Sequence, residues 1–110
     1  MSEYPKLVRD RIPEIIKEKT GTEPVYEMLE SDSEFLGALL KKATEEAAEL
    51  RAASNDKNME EEIADLFEVL DAILALKGRL AEDIRLIQQK KREQRGGFEK
   101  RILMQEPPRQ

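Results

Sequence analysis

The chain has no cysteine, no histidine and no tryptophan, and only five of its 110 residues are tyrosine or phenylalanine. Without cysteine there is no disulfide framework and no thiolate ligand, and without histidine the commonest zinc ligand and general base are gone. Metal chemistry, if present, must run on oxygen ligands alone. No apolar run is long enough to cross a bilayer, and no charged-then-apolar leader opens the sequence, which predicts a cytoplasmic protein with no membrane association. A net charge of −5 argues against a nucleic-acid partner, although the Lys and Arg residues are unevenly spread.

What is abundant is charge, at 39% of residues, set into helical periodicity. The patterning predicts an all-α fold, a bundle of four to five helices forming one domain over residues 1–110, with a loose tail from about residue 105 after Pro107-Pro108 is taken into account. Asp10 is placed to cap a short helix carrying Ile12, Ile15 and Ile16, with Pro13 in its first turn and Gly21 as its stop. Pro24 to Leu29 reads as a short strand. Ser31 with Glu34 forms a capping-box pattern that opens a helix to about Ala53. The polar stretch Ser54 to Asn58 reads as a turn, with Asn58 capping a helix from about Met59 to Lys77 that Gly78 ends. A last helix is expected from about Leu80 to Arg95, closed by Gly96-Gly97. So small a chain buries a modest core, and oligomerisation is expected to complete it.

The two central helices carry related phrases, Glu45-Glu46-Ala47-Ala48-Glu49-Leu50 and Glu61-Glu62-Ile63-Ala64-Asp65-Leu66. Each sets two acids three residues apart, Glu46 with Glu49 and Glu62 with Asp65, so each pair shares a helical face. An ordinary solvated face would place a Lys or Arg four residues after such acids. Here the positions after Glu45, Glu46, Glu49, Glu61, Glu62 and Asp65 are Glu49, Leu50, Ala53, Asp65, Leu66 and Val69. At about 100° per residue Glu46 falls within the apolar arc of Phe35, Leu36, Leu39, Leu40, Ala43, Ala47, Leu50 and Ala53. Glu62 falls between Val69 and Ile73 in the arc that also holds Ile63, Leu66, Phe67, Leu70 and Leu74. A carboxylate in an apolar arc is costly unless protonated, paired or bound to metal. In an antiparallel hairpin with axes about 8 to 10 Å apart the four acids converge, and converging carboxylates suit a hard divalent cation such as magnesium.

Glu46-x-x-Glu49, an interval of twelve residues, and Glu62-x-x-Asp65 resemble the metal signature of the MazG-like nucleotide pyrophosphohydrolases, a branch of the all-α NTP pyrophosphatase superfamily. Leu40 to Glu46 also resembles the phosphoribosyl-ATP pyrophosphohydrolase relatives. Lys6 to Pro13 is similar to the N-terminus of a small single-domain subgroup, and Lys91-x-x-x-Arg95-Gly96-Gly97-Phe98 to its C-terminal motif.

The resemblance implies cleavage of a nucleoside triphosphate, or a related nucleotide such as phosphoribosyl-ATP, to the monophosphate and pyrophosphate, in a house-cleaning role. It implies magnesium as cofactor, with manganese able to substitute, on Glu46, Glu49, Glu62 and Asp65. It implies phosphate contacts from Lys91 and Arg95, with Lys6, Arg9 and Arg11 in support, and a homodimer or homotetramer whose neighbouring subunits complete the helical core. With no histidine, proton removal falls to a neighbouring carboxylate such as Glu45 or Glu61, or to a metal-bound hydroxide. Two other classes fit the helices: a non-catalytic oligomerisation or interaction module whose acids meet a basic partner, and a metal-binding protein without turnover. On spacing alone, Lys91 and Arg95 also fit plain compensation of a helix dipole.

Overall fold

The computed structural model describes residues 4–109. It is all-helical: α1 spans Ile12–Thr20, α2 Asp32–Ala52, α3 Asp56–Leu76 and α4 Ala81–Arg95. The chain divides into two compact units, one ending at Gly78 and the other beginning at Arg79.

In the first unit α2 and α3 form an antiparallel hairpin packed along its length. Ser31 caps α2 by accepting the Glu34 N–H at 3.2 Å, as its sequence pattern predicts. α3 starts earlier than expected. Asn55, not Asn58, is its cap, and its side chain accepts the Asn58 N–H at 2.8 Å. Placing Asn55 at the cap adds a turn, sets Asp56 in the positive end of the helix, and shortens the connection to Ala53-Ser54-Asn55. α1 lacks a side-chain cap: Arg11 holds the N-cap position rather than Asp10, and Arg11 Nε instead donates to Glu14 at 2.6 Å. Gly21 ends α1 at φ 75°, in the left-handed region a glycine enters freely.

Residues 24–30 do not form the expected strand. Among the described residues no strand exists to give this segment a hydrogen-bonding ladder, and Val25 and Met28 stand exposed.

The core is small. Leu39 and Val69 are its buried apolar residues, and Glu46 is buried with them at 5% exposure. The buried face of α2 is rotated from the apolar arc read off the sequence, since Leu40 and Ala47 are exposed whereas Lys42 and Glu45 are half-buried. On α3 the face toward α2 takes Glu62, Leu66, Val69 and Ile73, and the adjacent stripe of Met59, Ile63, Phe67 and Leu70 is left exposed. The arcs were thus wider than one hairpin can cover.

In the second unit, α4 opens with the Leu80 N–H donating to Asp83 Oδ2 at 3.3 Å and ends at Gly96, φ 82°. Beyond it the chain carries no helix or strand among the described residues; a turn closes from Phe98 to the Arg101 N–H at 3.0 Å. Arg92 pairs with Glu99 and holds its carboxyl below the ordinary range.

Candidate metal centre

Helical spacing puts Glu46 and Glu49 on adjacent turns of α2, and the hairpin brings Glu62 of α3 against them. One carboxylate oxygen from each of the three lies within 4.8 Å of the others. Glu46 sits among the core residues, Glu62 is half-buried, and Glu49 forms the exposed rim. Both Glu46 Oε2 and Glu62 Oε2 are buried with no hydrogen-bond partner. An acceptor stranded in this way costs free energy, and two such atoms in one cluster of carboxylates mark a place that could take a proton or cation.

The electrostatics agree. Burial pushes the Glu46 carboxyl up, with the charges of Glu49 and Asp65 acting in the same direction, while the hydrogen bond with Glu62 and the Lys42 charge pull it back. Glu62 is pushed up to about 7, first by sharing a hydrogen bond with Glu46, then by desolvation and by its contact with Glu49.

Asp65 stands outside this group. It accepts from Arg9 Nη2 at 2.8 Å, an ion pair between residues 56 positions apart that ties the segment before α1 to α3. Glu45 is half-buried beside Lys42, whose Nζ is 3.9 Å away, and Glu61 is exposed. Lys6 lies over the Tyr4 ring, 5.1 Å from its centre, and Arg11 is engaged with Glu14. Lys91 and Arg95 are exposed on α4 in the second unit. That unit carries nine Lys and Arg against five Asp and Glu, the reverse of the acidic first unit.

One participant escaped the sequence reading. Lys42 Nζ approaches Glu46 at 3.6 Å and Glu45 at 3.9 Å. Its signal was present four residues before Glu46, in the basic-then-acidic order that is the weaker of the two helical pairings. A single ammonium at 3.6 Å does not satisfy three carboxylates, and Glu46 Oε2 stays unpartnered despite it.

The donor set therefore fits a hard cation: oxygen ligands only, more negative charge than the neighbouring Lys42 offsets, and two buried carboxylate oxygens without a partner. No helix among the described residues is long and apolar enough to cross a membrane. No protein-family model matches the chain, and no solved structure matches it. Over 48 residues, 44% of its length, the chain is 56% identical to an uncharacterized protein of Mycolicibacterium smegmatis, and it spans about half that relative, 47% of its length.

Proposed function

We propose that this chain is a magnesium-dependent nucleotide pyrophosphohydrolase that cleaves a nucleoside triphosphate, or a related nucleotide, to the monophosphate and pyrophosphate. The observation that carries the reading is the convergence of Glu46, Glu49 and Glu62 within 4.8 Å, with a buried unpartnered oxygen on both Glu46 and Glu62. Two carboxylates left in this condition destabilise the fold, and a site that binds a cation explains their retention. The resemblance of the acid spacing and of both end motifs to the MazG-like enzymes supplies the reaction class.

Glu46, Glu49 and Glu62 would hold magnesium, or manganese in its place, with Asp65 as the fourth ligand on the resemblance. When bound, such an ion would neutralise charge on the triphosphate, help orient it and make water more acidic. Glu46 gives the site its rigid floor, because it is buried in the packed hairpin. Glu45, half-buried on the same helix, and Glu61, next to Glu62, are the candidates for taking a proton from the attacking water. Lys91 and Arg95, with Lys6, Arg9 and Arg11, are assigned to the phosphates on the resemblance. The working form is a cytoplasmic homodimer or homotetramer, supported by the exposed stripe of Met59, Ile63, Phe67 and Leu70, which a second copy would cover.

That stripe also supports a second reading, a non-catalytic helical oligomerisation module. It accounts for the apolar face but not for the unpaired acids beside it. Incubating the purified protein with magnesium and ordinary, deoxy and damaged nucleoside triphosphates, together with phosphoribosyl-ATP, separates the two. Pyrophosphate released from at least one of them, and abolished by a chelator, is the expected result; no release from any leaves the oligomerisation module as the better account.

A further inference from the structure

Leu39, Lys42 and Glu46 follow one another at i, i+3 and i+7 on α2, and this one helical face holds the helix's two buried residues, Leu39 and Glu46. A lysine between them is out of place. Its side chain is 22% exposed, whereas the bases of the other ion pairs among the described residues are all more than half exposed. Losing water costs an ammonium free energy that a hydrogen-bonded carboxylate would return, yet Nζ stands 3.6 Å from Glu46 Oε1 and 3.9 Å from Glu45 Oε2, both beyond hydrogen-bond length. The ammonium is drawn to two acids and bonded to neither. None of its three donors is taken up by them.

We propose that Lys42 is a counter-ion that stands in for the divalent cation at Glu46 and, once displaced, turns its ammonium to a phosphate of the nucleotide, a role that rests on the functional reading above for its cation site. Lys42 and a divalent ion repel each other and compete for the same carboxylate, so the one gives way as the other is held. Giving way costs little, because no hydrogen bond to Glu46 has to break. The flexible four-carbon stem keeps the ammonium close to the acids while letting it change partner. A phosphate that enters with the cation then returns to Lys42 the negative charge it gave up at Glu46, and takes up donors that neither acid used. Lys42 thus opposes the bare cation and favours the cation that arrives with polyphosphate.

Two calorimetric titrations of the full chain test this at about pH 8, where protons compete little for the carboxylates: manganese alone, and inorganic tripolyphosphate in saturating magnesium. Lys42→Met keeps the apolar stem and removes the charge. It is expected to bind manganese about threefold or more tightly than wild type, because nothing competes for Glu46, and to bind tripolyphosphate about tenfold more weakly. Lys42→Arg is expected to stay within about threefold of wild type in both titrations, since a guanidinium also pairs with carboxylate and with phosphate. Lys41→Met, on the adjoining exposed position, is expected to change neither.

Unchanged manganese affinity in Lys42→Met overturns the counter-ion role, and unchanged tripolyphosphate affinity overturns the phosphate role. A loss in both titrations, with a matching loss of helix by circular dichroism, makes Lys42 a support of the fold and overturns both. Glu46→Gln separates this outcome from failure of the site beneath it. If Glu46→Gln keeps full manganese affinity, the cation site itself fails; if it loses manganese while Lys42→Met moves neither titration, the site stands and Lys42 is an ordinary helical ion pair.

Discussion

Glu46-x-x-Glu49 on α2 and Glu62-x-x-Asp65 on α3 have nearly the same chemistry and the same spacing, yet the fold treats them differently. On α2 both acids join the convergent group, one as its buried floor and the other as its rim. On α3 the pair is split, with Glu62 turned to the group and Asp65 to Arg9. Spacing along a helix decides which residues share a face, but the partner at that face is set by what the rest of the chain delivers there. For α2 the hairpin delivers Glu62. For Asp65 a segment 56 residues away delivers a cation of its own.

The most severe way to break the comparison is to remove the charge at its buried centre. Glu46→Gln keeps the shape of the side chain and loses the ligand charge, so magnesium-dependent pyrophosphate release is expected to fall by about a hundredfold or more. The helices are expected to persist, because an amide of equal size fills the same space beside Leu39; circular dichroism checks this alongside the rate. Wild-type turnover in Glu46→Gln would remove the glutamate from the site.

A smaller effect distinguishes the acids proposed to hold the cation from the bases proposed to hold the phosphate. Lys91→Ala combined with Arg95→Ala is expected to weaken nucleotide binding about tenfold while leaving manganese affinity near wild type. Unchanged nucleotide binding in this variant would return both residues to compensating the C-terminal end of α4, where last-turn cations commonly sit.

Much of this arrangement was legible before the fold was known. The all-α class followed from periodicity, the start of α2 from Ser31, and the stop of α1 from Gly21. The inward set of Glu46 and Glu62 followed from their place within apolar arcs, because burial on an amphipathic helix is a matter of angle. Three features were not legible, for separable reasons. The cap of α3 was ambiguous because Asn55 and Asn58 are equally good cap residues, and the choice depends on how short the hairpin loop can be. The stretch from Pro24 to Leu29 has strand-forming residues but no ladder to join, and pairing is a long-range property. The Arg9–Asp65 pair is a tertiary contact between two residues that each resemble a family motif, and nothing local to either announces the other.

The next comparison is between the cation-free and cation-bound states of Glu62. Its folded carboxyl is raised to about 7, whereas in the unfolded chain it titrates in the ordinary carboxylate range. A raised carboxyl means the folded state holds the proton more tightly than the unfolded state does. The stability this contributes is fully present below the ordinary carboxylate range and is lost as pH rises through about 7. The metal-free melting temperature is therefore expected to fall between pH 5 and pH 8, and Glu62→Gln, which has no charge to repel, is expected to melt above wild type at the upper end. On the proposed reading, magnesium would take the proton's place and reverse the order. It is expected to raise the wild-type midpoint more than the variant's, and to bind more tightly as pH climbs past 7, since the ligands must shed the proton first. Equal magnesium shifts in the two proteins, or a flat pH profile without metal, would mean that the carboxylates do not share a site.

The smallest expected effect concerns the stability contributed by the Arg9–Asp65 pair. Its side chains are 56% and 42% exposed, so water screens the attraction, and holding a long arginine in one geometry offsets part of what remains. Arg9→Ala is expected to lower the unfolding free energy by less than about 1 kcal/mol, with the loss shrinking further in high salt. Glu46 has the opposite character, because burial denies it that screening. Denaturant unfolding at low and high salt measures both quantities. A loss of several kcal/mol in Arg9→Ala would show that the strap before α1 is a structural clasp on α3, whereas a marginal loss that vanishes in high salt is what a solvated surface pair gives.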